Sequence, residues 1–155
     1  MPIHVASRRR TCIAVPLRAI VRTTLALEGC RPGEIAIVLT DDAALRELNR
    51  RWRKIDRATD VLSFGYDETT ERVVSGDLVI SLDRMEEQAV RYRTTRGREL
   101  ARLVVHGTLH LAGFDHATAT ERTDMRRRES RALRASAGPA ARLDAALGSR
   151  ATKSK

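Results

Sequence analysis

The chain has 155 residues, of which 42% are hydrophobic, and it carries a formal net charge of +9. A chain of this length forms one domain with its own core, and this composition excludes global disorder. No apolar run approaches the roughly 18 residues of a membrane span, and no apolar segment of a secretory signal follows the first arginines. We therefore expect a cytoplasmic protein that makes no membrane contact.

The beginning of the chain alternates predicted strands with one helix. Alternation of apolar and polar residues predicts a strand over residues 3–7, and a β-branched run predicts another over 35–39. Between them a helical pattern opens at Pro16 and ends at Gly29. Residues 31–33, Arg-Pro-Gly, are predicted to form a turn.

A second helix is predicted to follow the capping residues 40–42. Its apolar side chains share one face: Leu45, Leu48 and Trp52. Its outer face is basic, because residues 46–57 contain six basic and two acidic residues, a local charge of +4. Positive charge favours a polyanionic partner such as nucleic acid. However, three of the 29 basic residues are Lys and the other 26 are Arg, an excess that codon usage also produces.

The second half of the chain contains two more predicted strands and then helices. The strands span residues 60–64 and 76–81, with a polar loop at 67–71 between them. The helices are predicted over 82–93, from a cap at Thr94 or Thr95 to Gly113, and over about 118–136. The helix that ends at Gly113 is apolar almost all round, so we expect it to be buried.

Three of the four histidines, His106, His110 and His116, fall within eleven residues. Side chains at i and i+4 of a helix share one face with Cβ atoms ~5–6 Å apart, so the first two can share one metal ion. Gly113 permits the left-handed turn that ends the helix and brings His116 back towards them. Three imidazoles with one open position are the plan of a catalytic zinc site, so we predict one Zn²⁺ per chain.

The spacing of these histidines is also that of metzincin peptidases, which place a Glu base directly after the first His. Gly107 occupies that position here and has no side chain. A zinc peptidase is therefore disfavoured. Asp115, beside the last histidine, either accepts a hydrogen bond from a metal-bound imidazole or caps the turn.

These elements predict a single α+β or α/β domain over residues 1–137. We expect a small mixed β-sheet of about four strands packed with about five helices, with the buried central helix carrying two of the metal ligands. Gly138 and Pro139 interrupt the last helix, and the residues after them are rich in Ala and basic side chains. We therefore predict a basic, flexible tail over residues 138–155.

Three sequence blocks resemble the YbeY family of bacterial endoribonucleases and rRNA maturation factors. Residues 106–116, HGTLHLAGFDH, resemble the family's HGxLHLxGYDH signature. Residues 48–64, LNRRWRKIDRATDVLSF, resemble LNxxYRxxDxxTDVLSF, and residues 76–81, GDLVIS, are similar to GDIxIS. The chain departs from the family patterns at three positions. Trp52 and Phe114 stand where the family has Tyr, and Gly65 stands where it commonly has Pro. Met125 and Glu129 stand where the final helix of the family has Met and Glu.

The resemblance implies a metal-dependent endoribonuclease specific for single strands, acting in 16S rRNA 3′-end maturation and ribosome quality control. It implies ribosomal RNA, the 30S or 70S ribosome and the GTPase Era as partners. It also implies that the zinc ligands are His106, His110 and His116. One alternative is a metal-stabilised ribosome-assembly factor with little nuclease activity, and a less favoured one is the zinc peptidase.

The resemblance also selects one arginine, because the functional arginine of the family corresponds to Arg53. Its planar fork of donors would bind the scissile phosphate and stabilise the charge that develops there. The basic residues around it would bind flanking phosphates: Arg50, Arg51, Lys54 and Arg57. The proton acceptor stays open between a metal-bound hydroxide, Asp115 and the RNA 2′-hydroxyl.

Overall fold

The computed structural model describes residues 3–6, 13–54, 59–66 and 72–148. The predicted polar loop at 67–71 and Arg57 lie outside these residues. The elements in chain order are β1 (Ile3–Ala6), α1 (Ala14–Leu27), β2 (Arg31–Thr40), α2 (Asp42–Arg53), β3 (Val61–Gly65), β4 (Val73–Ser81), α3 (Leu82–Arg91), α4 (Arg96–Leu111), α5 (Ala119–Ala135) and α6 (Ala137–Leu147).

The four strands form one mixed sheet in the order β1-β2-β4-β3. The pairs β1–β2 and β2–β4 are parallel, whereas β3 pairs antiparallel with β4 through the register Ser63↔Leu78. The expected α+β class with a four-stranded mixed sheet is confirmed. Among the described residues, no helix combines the length and the apolar character needed to cross a membrane.

Helices cover both faces of the sheet, five of them on one face and α2 on the other. On one face, alternate residues of β2 (Ile35, Ile37 and Leu39) join the main core with side chains from α1, α3, α4, α5 and α6. On the other face, Leu45 of α2 packs against Leu62 and Val79 in a small second cluster. This arrangement follows from the period-2 alternation of strand side chains, which sends neighbouring residues to opposite faces.

The central helix α4 is buried, as predicted. The Thr95 side chain accepts a hydrogen bond from the backbone N–H of Arg98 and so caps its first turn. Most of its residues are buried, including Leu100, Leu103 and Leu109, which are fully buried. A helix enclosed on nearly all sides is a rigid support for the side chains at its exposed end.

Three local predictions differ from the structure. Residues 31–33 belong to β2 rather than to a turn, and the register with β4 shifts between Pro32 and Ile35, so the strand absorbs the Pro-Gly pair as an irregularity. Trp52 shares its predicted face with Leu45 but is 68% exposed. The apolar patch beneath α2 is small and extends no further than Leu48.

The third difference concerns the predicted tail. Residues 137–147 form α6, and Leu143 on it is fully buried in the main core. Pro139 is the third residue of α6, so it lies in the first turn, where its fixed φ and its missing N–H are tolerated. At Gly97 the backbone N–H donates to the Asp144 carboxylate at 2.6 Å, which joins α6 to the first turn of α4.

Candidate metal centre and groove

The three histidines meet at the end of α4. His106 and His110 project from its last turns, and His116 lies in the segment between α4 and α5. The ring centroids of His106 and His110 are 4.7 Å apart, and that of His116 lies 5.6 Å from the first and 4.9 Å from the second. One nitrogen from each ring can be chosen so that all three lie within 4.8 Å of one another, close enough to share an ion.

The turn after α4 brings the third histidine back. Gly113 has φ +98°, in the left-handed region that suits glycine. The backbone N–H groups of Phe114 and Gly113 donate to the carbonyls of Leu109 and His110, both at 3.0 Å, which is the Schellman pattern of a helix end. The predicted role of Gly113 is therefore confirmed by the backbone.

A contact with α5 holds this turn in place. The guanidinium of Arg128 lies over the ring of Phe114, 4.2 Å from its centroid. Arg128 and Arg131 both donate to the carboxylate of Glu28, which is only 5% exposed at the end of α1. The segment that carries His116 is thus packed against a helix that is itself fixed to the core.

The surroundings of the three histidines favour the neutral form of His110. Burial lowers the pKa of His110, and the neighbouring imidazoles of His106 and His116 lower it further, while Asp115 and Glu129 oppose the shift. A lowered pKa favours the neutral imidazole, which is the form that binds a metal. Imidazole nitrogens are good ligands for zinc and for other first-row metals, so the donor set fits the predicted ion.

Glu129 on α5 is a site residue without an assigned role in the sequence interpretation. Its Oε1 lies 3.3 Å from Nδ1 of His106, within ion-pair distance, and the carboxylate is 15% exposed. The contact does not meet the geometry of a hydrogen bond, so the buried Nδ1 has no such partner among the described residues. Glu129 shares the buried face of α5 with Met125 and Ala132, which are both 2% exposed. In the sequence, an acidic residue among the apolar positions of this otherwise charged helix is the signal that could have indicated a role for Glu129.

Asp115 makes a turn contact. Its Oδ1 accepts the backbone N–H of His116 at 2.7 Å. This geometry favours turn capping over the alternative of a hydrogen bond to an imidazole.

Arg53 lies in the same groove as the histidines. The groove has a volume of about 640 Å³, and its lining includes Arg53, Asp60, His106, His110 and His116. Its polar lining and its contact with all three imidazoles make it a place where a charged substrate can reach a metal ion.

Arg53 is positioned by β3, which also contacts α4. Its Nη2 donates to the Ser63 carbonyl at 2.8 Å, and its guanidinium lies 5.5 Å from the centroid of the Phe64 ring. The Ser63 hydroxyl in turn donates to the Gly107 carbonyl at 3.1 Å. One residue of β3 therefore connects the arginine to the helix that carries two of the histidines.

Gly107 is required where α4 crosses the sheet. A Cβ at this position would lie 2.9 Å from Leu78 Cδ2, 3.1 Å from Val61 Cγ2 and 3.3 Å from Ser63 Oγ. The position that bears the base in metzincins is therefore filled by the sheet and has no space for a carboxylate side chain.

Three of the other basic residues predicted to bind RNA lie at the exposed end of α2: Arg50, Arg51 and Lys54. Arg50 donates to the Glu47 carboxylate at 3.1 and 2.6 Å, so an acid of the same helix already holds its guanidinium. Arg51 and Lys54 are exposed. Arg57 lies outside the described residues, so its position stays a prediction.

The fold and the site together define an α+β protein with a three-histidine cluster, suited to a metal ion, in a groove that also holds an arginine. Residues 7–137 match the family model described as Endoribonuclease YbeY. The chain therefore belongs to the Endoribonuclease YbeY family.

Curated relatives and a solved structure agree with this assignment. Endoribonuclease YbeY of Roseiflexus castenholzii is 44% identical over 124 residues, covering 75% of this chain and 78% of the relative. Endoribonuclease YbeY of Desulforamulus reducens is 40% identical over 121 residues, covering 73% and 79%. The solution structure of TM1509 from Thermotoga maritima matches with a TM-score of 0.63 at 24% identity, covering 96% of this chain and 99% of that one, which supports the fold.

Proposed function

We propose that this protein is a zinc-dependent endoribonuclease that cuts single-stranded RNA in the cytoplasm. Its task would be 16S rRNA 3′-end maturation and ribosome quality control, with ribosomal RNA, the 30S or 70S ribosome and the GTPase Era as partners. Family membership supports the activity on RNA. The observation that carries the proposal is that Arg53 and the three histidines line one groove.

The histidines would hold the ion through one nitrogen each: His106, His110 and His116. When bound, Zn²⁺ supplies Lewis acidity and activation of water. The neutral form of His110, favoured by its lowered pKa, leaves its ring nitrogen lone pair free for the ion. Glu129 would orient the His106 ring, because a carboxylate beside one ring nitrogen directs the other nitrogen towards the ion.

Arg53 would bind the scissile phosphate. One of its guanidinium N–H groups donates to the Ser63 carbonyl, and the remaining four donate to none of the described residues. These donors are held in place before substrate arrives, so they stabilise developing charge on the phosphate without reorganisation. Arg51 and Lys54 would attract neighbouring phosphates and steer the strand into the groove.

The test compares cleavage of a single-stranded RNA by the zinc-loaded protein with that by two arginine variants. Arg53→Gln should lower the cleavage rate by about 100- to 1,000-fold, the usual effect of losing one preorganised donor. Its zinc content should stay unchanged, because Arg53 contacts none of the histidines. Arg142→Gln on α6 removes the same charge far from the groove and should leave the rate unchanged.

Three results would overturn the proposal. Intact RNA after incubation with the zinc-loaded protein would leave the ribosome-assembly factor as the better interpretation. Cleavage that survives both chelation and a His116→Ala substitution would belong to a contaminating nuclease. Cleavage of casein, with RNA untouched, would favour the peptidase.

A further inference from the structure

Trp52 is an exposed aromatic residue at the end of α2. It is the only tryptophan of the chain. Its side chain is 68% exposed, more than Val15 at 63% or Tyr92 at 55%, the other exposed large hydrophobic residues among those described. Burying a tryptophan is strongly favourable, and its indole is well suited to contact an apolar or aromatic surface at an interface. A single exposed hydrophobic residue is common on protein surfaces, so the exposure of Trp52 gains meaning from the residues around it.

The surroundings of Trp52 indicate the kind of molecule. Its sequence neighbours Arg51 and Arg53 are both exposed cations, and Lys54 follows them. Neither Arg51 nor Lys54 has a carboxylate partner among the described residues. A basic surface that contains an exposed aromatic ring is typical of proteins that bind single-stranded nucleic acid, because cations hold the phosphates and the ring stacks on a base.

We propose that Trp52 forms a base-stacking subsite beside the groove. The inference rests on the proposed function, because it takes the substrate to be RNA whose scissile phosphate is bound by Arg53. Consecutive side chains on a helix point in different directions, so Trp52 and Arg53 would contact different groups of a bound strand. Trp52 does not line the groove itself, so it would receive the base of a nucleotide beside the cleaved bond.

This subsite gives a physical reason for a preference for single strands. An unpaired base can leave its neighbours and stack on an indole, whereas a paired base is already stacked inside its duplex. Arg53 reads only phosphate, which single and double strands share. Trp52 would therefore distinguish single strands from duplexes, whereas Arg53 would bind the phosphate of either.

The single tryptophan allows a direct measurement. Metal-free protein, in which the proposed cleavage should be absent, is titrated with a short single-stranded RNA while indole fluorescence is recorded. We expect quenching on binding, because a stacked base contacts the indole. Affinities of the variants are measured by fluorescence anisotropy of a labelled strand, with the duplex of the same sequence as the second ligand.

Three variants separate stacking from other effects. Trp52→Leu should weaken single-strand binding between about five- and 150-fold, the range for loss of one stacked base. Trp52→Phe, which keeps an aromatic face, should retain most of the affinity. Tyr92→Leu removes a comparably exposed ring whose neighbours Arg91 and Arg102 each lie 5.9 Å from its centroid, and it should have no effect. Duplex binding should be the same for all of them.

The outcomes for this inference and for the proposed function are distinct. If the zinc-loaded protein cuts RNA but Trp52→Leu binds the single strand as tightly as the parent, the stacking subsite is wrong and the nuclease stands. Equal losses on single strand and duplex would also overturn it. If Trp52→Leu keeps its affinity for both the short strand and protein-free 16S rRNA but loses affinity for 30S particles, Trp52 contacts a protein and the stacking subsite is wrong. Failure of the parent to cut RNA contradicts the proposed function alone, because the binding measurements do not depend on cleavage.

Discussion

Removing the Glu129 carboxylate should weaken metal binding without unfolding the protein. The carboxylate is 15% exposed and lies 3.3 Å from Nδ1 of His106, a ring nitrogen that has no hydrogen-bond partner among the described residues. In Glu129→Ala the His106 ring loses the carboxylate that lies beside its Nδ1 and would orient it towards the ion. Partners of metal-bound histidines usually contribute about 10- to 100-fold in affinity, or about 1.4–2.8 kcal/mol. We expect a loss in this range.

The assay is competition for Zn²⁺ between the protein and a chromophoric chelator at fixed pH. Glu129→Gln keeps an oxygen acceptor but loses the charge, so its affinity should fall less than that of Glu129→Ala. Glu87→Gln is the matched control, because Glu87 is an exposed carboxylate whose Arg84 contact is 3.9 Å long. Thermal unfolding in excess chelator checks that the fold is retained. An affinity for Glu129→Ala within about twofold of the parent would refute the orienting role.

Two further substitutions test the packing that supports the site. Gly107→Ala places a Cβ against side chains of β3 and β4, so it should cost about 1–3 kcal/mol in calorimetry. Gly138→Ala, with nothing within 4 Å, should be neutral or stabilising; equal destabilisation of both would contradict the close contact at Gly107. Leu143→Ala should lower the free energy of unfolding by about 2–5 kcal/mol because α6 belongs to the core, whereas Arg142→Ala beside it should have little effect. If the Leu143→Ala variant were as stable as the parent, α6 would not belong to the core, and the predicted flexible tail would be the better description.

The sequence was most informative where local signals and burial agree. In α4 the apolar pattern, the Thr95 cap and the Gly113 turn predict the same helix, and the structure has it with the same ends. The histidines follow from that helix, since two of them share its face and the glycine returns the third. Each of these signals is local, so each could be interpreted without knowing the rest of the fold.

The predictions that differ depend on contacts between distant residues. Residues 137–147 have only a short apolar pattern, but Leu143 is buried in the core. Asp144 accepts a hydrogen bond from the backbone N–H of Gly97, 47 positions away, and these two contacts stabilise α6. Trp52 follows the apolar periodicity of α2, yet the sheet beneath the helix offers no surface for it. The contact of Glu129 with His106 joins two helices, and no spacing rule relates them.

The hydrogen bond from Arg53 to Ser63 also affects how β3 meets other chains. β3 is the edge strand of the sheet beside the groove, and an edge strand offers unpaired backbone groups to any extended segment. The Arg53 guanidinium donates a hydrogen bond to the carbonyl of Ser63, the middle residue of this short strand. An added strand would have to displace a charged donor to pair there, which opposes both peptide capture at the edge and edge-to-edge association of two molecules. The arginine proposed to bind phosphate would thus also oppose aggregation through this edge of the sheet.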